Sequence, residues 1–151
     1  MVRIAQVGVG YWGPNLLRNL SSNYDSTVKT VVDTSKERQE FVQKTYPGIH
    51  VTDELDSIIN DPDIDAVVIA TPVASHYDLT IQALNKGKHV LVEKPMATKT
   101  DQVREIKQLA RKKELVAMVG HTFLFNSAVR YVKSIIESGE LGDIRYIYSQ
   151  R

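Results

Sequence analysis

Gly8, Gly10 and Gly13 stand at the spacing Gly-x-Gly-x-x-Gly, directly after the apolar run Ile4-Ala5-Gln6-Val7 and ahead of a segment with helical period. At that spacing one glycine permits a tight turn, the next lets the main chain approach a pyrophosphate, and the third lets helix and strand pack closely. The diphosphate would rest on the free N–H groups at the helix N-terminus, where the macrodipole favours negative charge. Alone, the triplet also describes a glycine-rich turn that binds nothing. Context supplies an acceptor: a second apolar run ends in Asp33, twenty residues beyond Gly13. An acidic residue at about that distance takes the hydroxyls of the adenosine ribose. A carboxylate there repels a ribose 2′-phosphate, so NAD is expected ahead of NADP, although Lys36 and Arg38 follow closely and a cation can accommodate that phosphate. The plain alternative for Asp33 is a turn or helix cap before Ser35.

Two further clusters carry chemistry. Thr71, Pro72 and His76 fall where a fourth apolar run ends and a helix begins, and ligands of open parallel sheets bind outside the carboxyl ends of the strands. Thr71 and Pro72 are therefore expected to line the nicotinamide half of a dinucleotide site. His76 lies in the first turn of the following helix, where an ordinary capping or surface histidine is the alternative. The run Val90-Leu91-Val92-Glu93-Lys94-Pro95 delivers a carboxylate and an ammonium to another strand end. Pro95 stops the strand there. Lys94 would then sit over the cleft, partly buried, able to donate to a substrate hydroxyl or take its proton. The bland alternative is a solvated Glu93–Lys94 ion pair of little energetic worth.

These residues need elements to place them. Short β-branched runs at residues 3–7, 27–32, 49–51, 66–70, 89–92 and 116–119 alternate with helix-period segments at 13–22, 36–45, 53–60, 75–86 and 100–113. That alternation, with strands apolar on both faces, predicts an α/β fold: a doubly wound parallel sheet, Rossmann-like, covered on both sides by crossover helices. Asp53 is expected to cap the third helix, Thr98 or Thr100 the fifth, and Gly87 to follow the fourth. Past Gly120 the pattern changes. Residues 126–138 read as a helix, 139–142 as a turn and 144–151 as a strand, with Ile144, Tyr146 and Tyr148 on one face. The expected division is a dinucleotide-binding domain over 1–120, then a connecting helix and first strand of a truncated second domain over 121–151. A lone aromatic edge strand needs a partner, so the chain reads as a fragment or shortened product.

Composition narrows the function classes. The 151 residues carry nineteen Lys and Arg against eighteen Asp and Glu, a formal charge of +1, without a basic stripe of the kind nucleic acids require. Hydrophobic content of 42% and charged content of 25% are those of an ordered globular domain, for which about 7,700 Å² of exposed surface is expected at this mass. The absence of cysteine excludes disulfides and thiolate metal sites. No segment reaches the ~20 apolar residues of a membrane span and no secretory leader opens the chain, so a cytoplasmic protein is expected.

The glycine loop, Thr71-Pro72 with His76, and above all Gly87-Lys88-His89-Val90-Leu91-Val92-Glu93-Lys94-Pro95 resemble the Gfo/Idh/MocA oxidoreductases. The resemblance runs nearly the whole chain, through Ser138-Gly139-Glu140-Leu141-Gly142, which is similar to that family's passage into its second domain. It implies an NAD(P)-dependent dehydrogenase acting at a secondary hydroxyl of a sugar or polyol, in a homo-oligomer. The run Gly10-Tyr11-Trp12-Gly13-Pro14-Asn15 is most similar to members that act on nucleotide-linked sugars. Carried onto this chain, the family pattern has Tyr11 and Trp12 supply main-chain contacts to the pyrophosphate and Asp33 bind the adenosine ribose; Arg38, read from its place after Asp33, is a further candidate for coenzyme binding. Thr71, Pro72, His76 and Glu93 would border the nicotinamide ribose, and Lys94 would act at the substrate hydroxyl. His121 would touch cofactor or substrate, a packed histidine being its alternative. Val73 departs from the Asn that many relatives carry after Thr-Pro. The family's catalytic histidine belongs to a second-domain helix that this chain does not reach, which implies cofactor binding with little or no turnover. A non-catalytic NAD-binding module and a subunit pairing through Tyr146 and Tyr148 remain as rivals.

Overall fold

The β-branched runs pair side by side. The computed structural model describes residues 1–150, and within them β1 (Val2–Val7), β2 (Ser26–Val32), β3 (His50–Thr52), β4 (Ala66–Ile69), β5 (His89–Val92) and β6 (Ala117–Val119) form a single parallel sheet. The strand order is β3-β2-β1-β4-β5-β6. Chain connection therefore reverses direction between β1 and β4, the switch point at which such sheets open a crevice. The helices are α1 (Gly13–Ser21), α2 (Lys36–Thr45), α3 (Asp56–Ile59), α4 (His76–Asn85), α5 (Thr100–Lys112) and α6 (Ser127–Glu137). Leu17 of α1 and Val42 of α2 pack with Val28 and Val31, whereas Ala83, Leu84, Ile106 and Ala110 of α4 and α5 pack with Val67, Val90 and Val92. Two separate apolar clusters are what a sheet covered on both faces requires. The α/β, doubly wound, Rossmann-like class follows from this topology.

Register does the positioning. Val7 pairs with Val32 and Ile69, Ile69 with Val92, and Val92 with Val119. Gly8, Ala70, Glu93 and Gly120 then form the next rank, each sending its N–H to the carbonyl of a paired residue on the neighbouring strand at 2.8 or 2.9 Å. Asp33 N–H continues the same rank to Thr52 O at 3.0 Å. The residues that the sequence marks as chemical thus leave the sheet along one line. At the opposite end Arg3 clamps β1 to the start of β4: its main-chain N–H and guanidinium donate to Asp65 at 2.7 to 3.0 Å, and Nη1 reaches Asp63 at 2.6 Å.

Three expectations about the elements fail. The third helix is one turn, Asp56–Ile59, rather than 53–60, because Thr52 Oγ1 accepts the Glu54 N–H and makes a turn, while the Asp53 carboxylate pairs with Lys36 at 3.3 Å instead of capping. The fifth helix has Lys99 as its N-cap with no side-chain bond, since Thr98 Oγ1 turns to Gln102. Gly87 does end α4, with Lys88 N–H returning to Ala83 O as the helix closes. Residues 144–150 form no strand; a strand needs a ladder partner, and none is present among the described residues.

A second unit begins at His121. It contains a 3-10 turn, Thr122–Phe125, and α6, whose N-terminus is capped by Asn126 Oδ1 accepting from Ala128 and Val129 N–H. Most of its large apolar side chains are exposed, Tyr146 at 85%, whereas Ile135 is half-buried. No described helix is long and apolar enough to cross a membrane.

Candidate coenzyme site

The glycine bend between β1 and α1 is built from close contacts. Gly8 has φ +91°, and a Cβ on it would stand 2.7 Å from Ala70 O, so both the backbone angle and the neighbouring strand exclude a side chain. A Cβ on Gly13 would stand 2.5 Å from Gly8 O, which is the helix–strand approach that the third glycine exists to permit. Gly10 differs: nothing lies within 4 Å of its would-be Cβ. Space is kept open at the glycine whose main chain should meet a ligand.

The start of α1 is equally bare. Trp12 is its N-cap, with no side-chain bond, and no acidic residue lies in the first turn. Pro14 carries no N–H and the Asn15 N–H turns back to Trp12 O at 3.0 Å, so the N–H groups left to an outside acceptor are those of the bend, from Gly10 to Gly13. By contrast α2 is capped by Ser35 Oγ, which accepts the Arg38 N–H. Tyr11, 97% exposed, and Trp12, 43% exposed, flank the bend.

Two polar side chains hold the bend in place. Asp33 Oδ2 accepts the Val9 N–H at 2.8 Å and Oδ1 the Ser35 N–H at 2.9 Å, tying the glycine loop to the end of β2. Each oxygen keeps a lone pair for a further donor. The cap-like role and the ribose-binding role of Asp33 are thus compatible. The second is Gln6, fully buried in β1, whose Nε2 donates to Gly8 O and Gly13 O at 2.9 Å each. Sequence reasoning missed it, treating residue 6 as one more position of a buried strand. The available signal was an amide inside an otherwise apolar run, since a buried amide must find partners.

A cleft of about 480 Å³ opens along this edge, lined by Gly8, Gly10, Asp33, Arg38, Thr71 and Pro72 among others. Glycine bend, acidic acceptor, Arg38 and the end of β4 therefore share one concavity. Thr71 Oγ1 lies 2.7 Å from Ser75 Oγ, which donates to Pro72 O, so the turn after β4 is cross-linked by hydroxyls. The residues present fit a dinucleotide: an open glycine cradle, N–H groups without partners along the bend that leads into α1, and a carboxylate with spare acceptor capacity at the ribose position.

Past β5 the picture departs from expectation. Lys94 is exposed rather than partly buried. Glu93 accepts the Lys94 main-chain N–H at 3.2 Å instead of pairing with its ammonium, and its carboxylate lies against Gly120, where a Cβ would come within 2.9 Å. The Lys94–Pro95 peptide is cis. His76, expected beside a ribose, is 2% exposed, with Nδ1 and Nε2 each 2.8 Å from a main-chain oxygen, Pro95 O and Thr71 O. Its polar atoms are turned into the protein. His121 is exposed and lies in the second unit.

Comparison with known proteins agrees with this geometry. The family model described as the oxidoreductase family, NAD-binding Rossmann fold, matches residues 2–121. The chain is 31% identical over 148 residues to a dTDP-3,4-didehydro-2,6-dideoxy-alpha-D-glucose 3-reductase of Streptomyces violaceoruber, covering 95% of this chain and 43% of that protein. Its fold is similar to that of the scyllo-inositol dehydrogenase of Lactobacillus casei with bound NAD(H) and scyllo-inositol, at TM-score 0.85 and 26% identity over 95% of this chain and 43% of the other. A 3-ketoreductase of Actinomadura kijaniata in complex with NADP and TDP-benzene superposes at TM-score 0.86, also with 26% identity, over 95% and 44%. The chain spans less than half the length of these proteins. It belongs to the Gfo/Idh/MocA oxidoreductase family, whose NAD-binding Rossmann portion it matches.

Proposed function

We propose that this chain forms the coenzyme-binding part of an NAD(P)-dependent dehydrogenase that exchanges a hydride with the carbinol carbon of a sugar or polyol. The observation that carries the reading is the open, uncapped start of α1 beside a glycine bend held by Asp33 and Gln6. When bound, the nicotinamide supplies the hydride chemistry; the protein's part is to bind and orient it. The main chain from Gly8 to Gly13 takes the diphosphate, with Tyr11 and Trp12 contributing N–H groups. Asp33 takes the adenosine ribose hydroxyls and sets NAD ahead of NADP, with Arg38 beside it. Thr71, Pro72 and Glu93 border the nicotinamide half. Lys94, exposed and free to swing, polarises the substrate oxygen or shares its proton.

The related proteins name an inositol, a dTDP-linked sugar and both coenzymes, which supports a polyhydroxylated substrate, including a nucleotide-linked sugar. In this reading the 151 residues bind coenzyme; the related proteins are more than twice as long. Calorimetric titration of the chain with NADH and NADPH tests the proposal. Saturable binding with NADH the tighter is expected, and no heat from either at millimolar concentration would reject it.

A further inference from the structure

The exits of β4 and β5 carry the residues assigned to the nicotinamide half, Thr71-Pro72 on one and Glu93-Lys94-Pro95 on the other. The ladder between them ends where Glu93 N–H meets Ile69 O at 2.9 Å. Beyond that line no hydrogen bond among the described residues joins the two exits directly, and the connection passes through one side chain. His76, at the first position of α4, sets Nε2 2.8 Å from Thr71 O and Nδ1 2.8 Å from Pro95 O. Neither carbonyl has another partner among the described residues. Both contacts are partly buried and both partners only accept, so a neutral ring donates to one carbonyl and rests its other nitrogen against the second, while a doubly protonated ring donates to both. In either form the ring is the one side chain in contact with both exits.

We infer that His76 is a positioning residue for the nicotinamide half of the site. It acts by clipping the two exits into register, not by touching coenzyme. The inference rests on the coenzyme reading above and deepens it. The geometry divides the site into two separately held parts: Asp33 and Gln6 hold the glycine bend and the adenosine side, while His76 holds the β4 and β5 exits. Loss of the clip leaves the glycine bend with all of its own bonds. Thr71, Pro72 and Lys94 are then free to drift from the places they take together, and a displacement of about 1 Å at such positions is enough to weaken a site.

The two halves can be read independently with NADH and with ADP-ribose, which carries the adenosine diphosphate but no nicotinamide. Trp12, the single tryptophan, stands on the glycine bend and reports occupancy by fluorescence. His76→Phe keeps a ring and removes both nitrogens; His76→Gln restores an amide donor. The expected result is that His76→Phe weakens NADH roughly tenfold, the equivalent of about one net hydrogen bond. ADP-ribose stays within about twofold, and His76→Gln recovers part of the NADH affinity. Equal losses for the two nucleotides, or unchanged NADH affinity in the folded variant, overturn the inference. Should His76→Phe fail to fold, His76→Gln carries the test: NADH weakened more than ADP-ribose supports the clip, and equal effects overturn it. A wild-type chain that binds neither nucleotide refutes the coenzyme reading itself, and the inference with it.

Discussion

An alanine at Gly13 would set its methyl carbon 2.5 Å from Gly8 O and 3.3 Å from Gln6 Nε2. The first distance is roughly 0.9 Å short of ordinary contact, and the atom it meets is main chain, so the bend itself must move. Overpacking of that kind destabilises by about 2 to 3 kcal/mol, or roughly a 10 °C fall in Tm for a domain of this size. Gly8→Ala meets Ala70 O at 2.7 Å and adds a left-handed backbone penalty at φ +91°, for about 3 to 4 kcal/mol in all. Gly10→Ala meets nothing within 4 Å. Its stability should stay within about 0.5 kcal/mol of wild type, with a slight gain from restricting the unfolded chain. Yet its methyl fills the open space of the cradle, and NADH affinity should fall at least about tenfold. Thermal denaturation and NADH titration of the three variants separate the effects. A Gly10→Ala protein as unstable as the other two, or one that is stable and binds NADH as wild type does, would refute the division of labour among the glycines.

Gln6→Leu keeps the volume but strips the donor from two buried carbonyls, Gly8 O and Gly13 O. A loss of about 2 to 4 kcal/mol is expected from urea denaturation, and a loss below about 0.5 kcal/mol would show the amide to be dispensable. Asp33→Asn keeps an acceptor for Val9 N–H and removes the charge. The NADPH-to-NADH affinity ratio should then rise roughly tenfold, as expected for relieving about 1 to 2 kcal/mol of like-charge repulsion; an unchanged ratio would contradict the placement of the ribose. At the far end of the sheet, bonds from the Arg3 guanidinium and main-chain N–H hold the Asp65 carboxyl well below the usual carboxylate range. A depressed native value contributes stability that is complete above the unfolded pKa, near 4, and is lost as pH falls below it. Urea midpoints between about pH 5 and pH 3 should fall more steeply for wild type than for Asp65→Asn, and parallel slopes would count against the clamp.

The parts legible in the sequence are those governed by local rules. β-branched runs with glycine between them give strands, turns and the doubly wound order, and the spacing of Gly8, Gly10, Gly13 and Asp33 carries its own geometry. What escaped reading depends on contacts distant in the chain. Nothing near Gln6 announces that its amide will meet two glycine carbonyls. His76 looks like a surface residue until β5 brings Pro95 beside it, nineteen positions away. Thr52 and Lys36 decide the length of α3 by competing for Glu54 and Asp53. The aromatic alternation of Ile144, Tyr146 and Tyr148 has the period of a strand, but period alone does not make one without a neighbouring ladder. Lys94 was expected to be partly buried because Pro95 fixes the exit; the exit instead leaves the ammonium in solvent.

The most direct test of the coenzyme site is the amide spectrum of isotopically labelled chain titrated with NADH. Saturable shifts are expected, concentrated at Gly8, Gly10, Tyr11, Trp12 and Gly13 and extending to Asp33 and Thr71. Shifts absent at the glycine bend, or scattered over the surface without saturation, would contradict it.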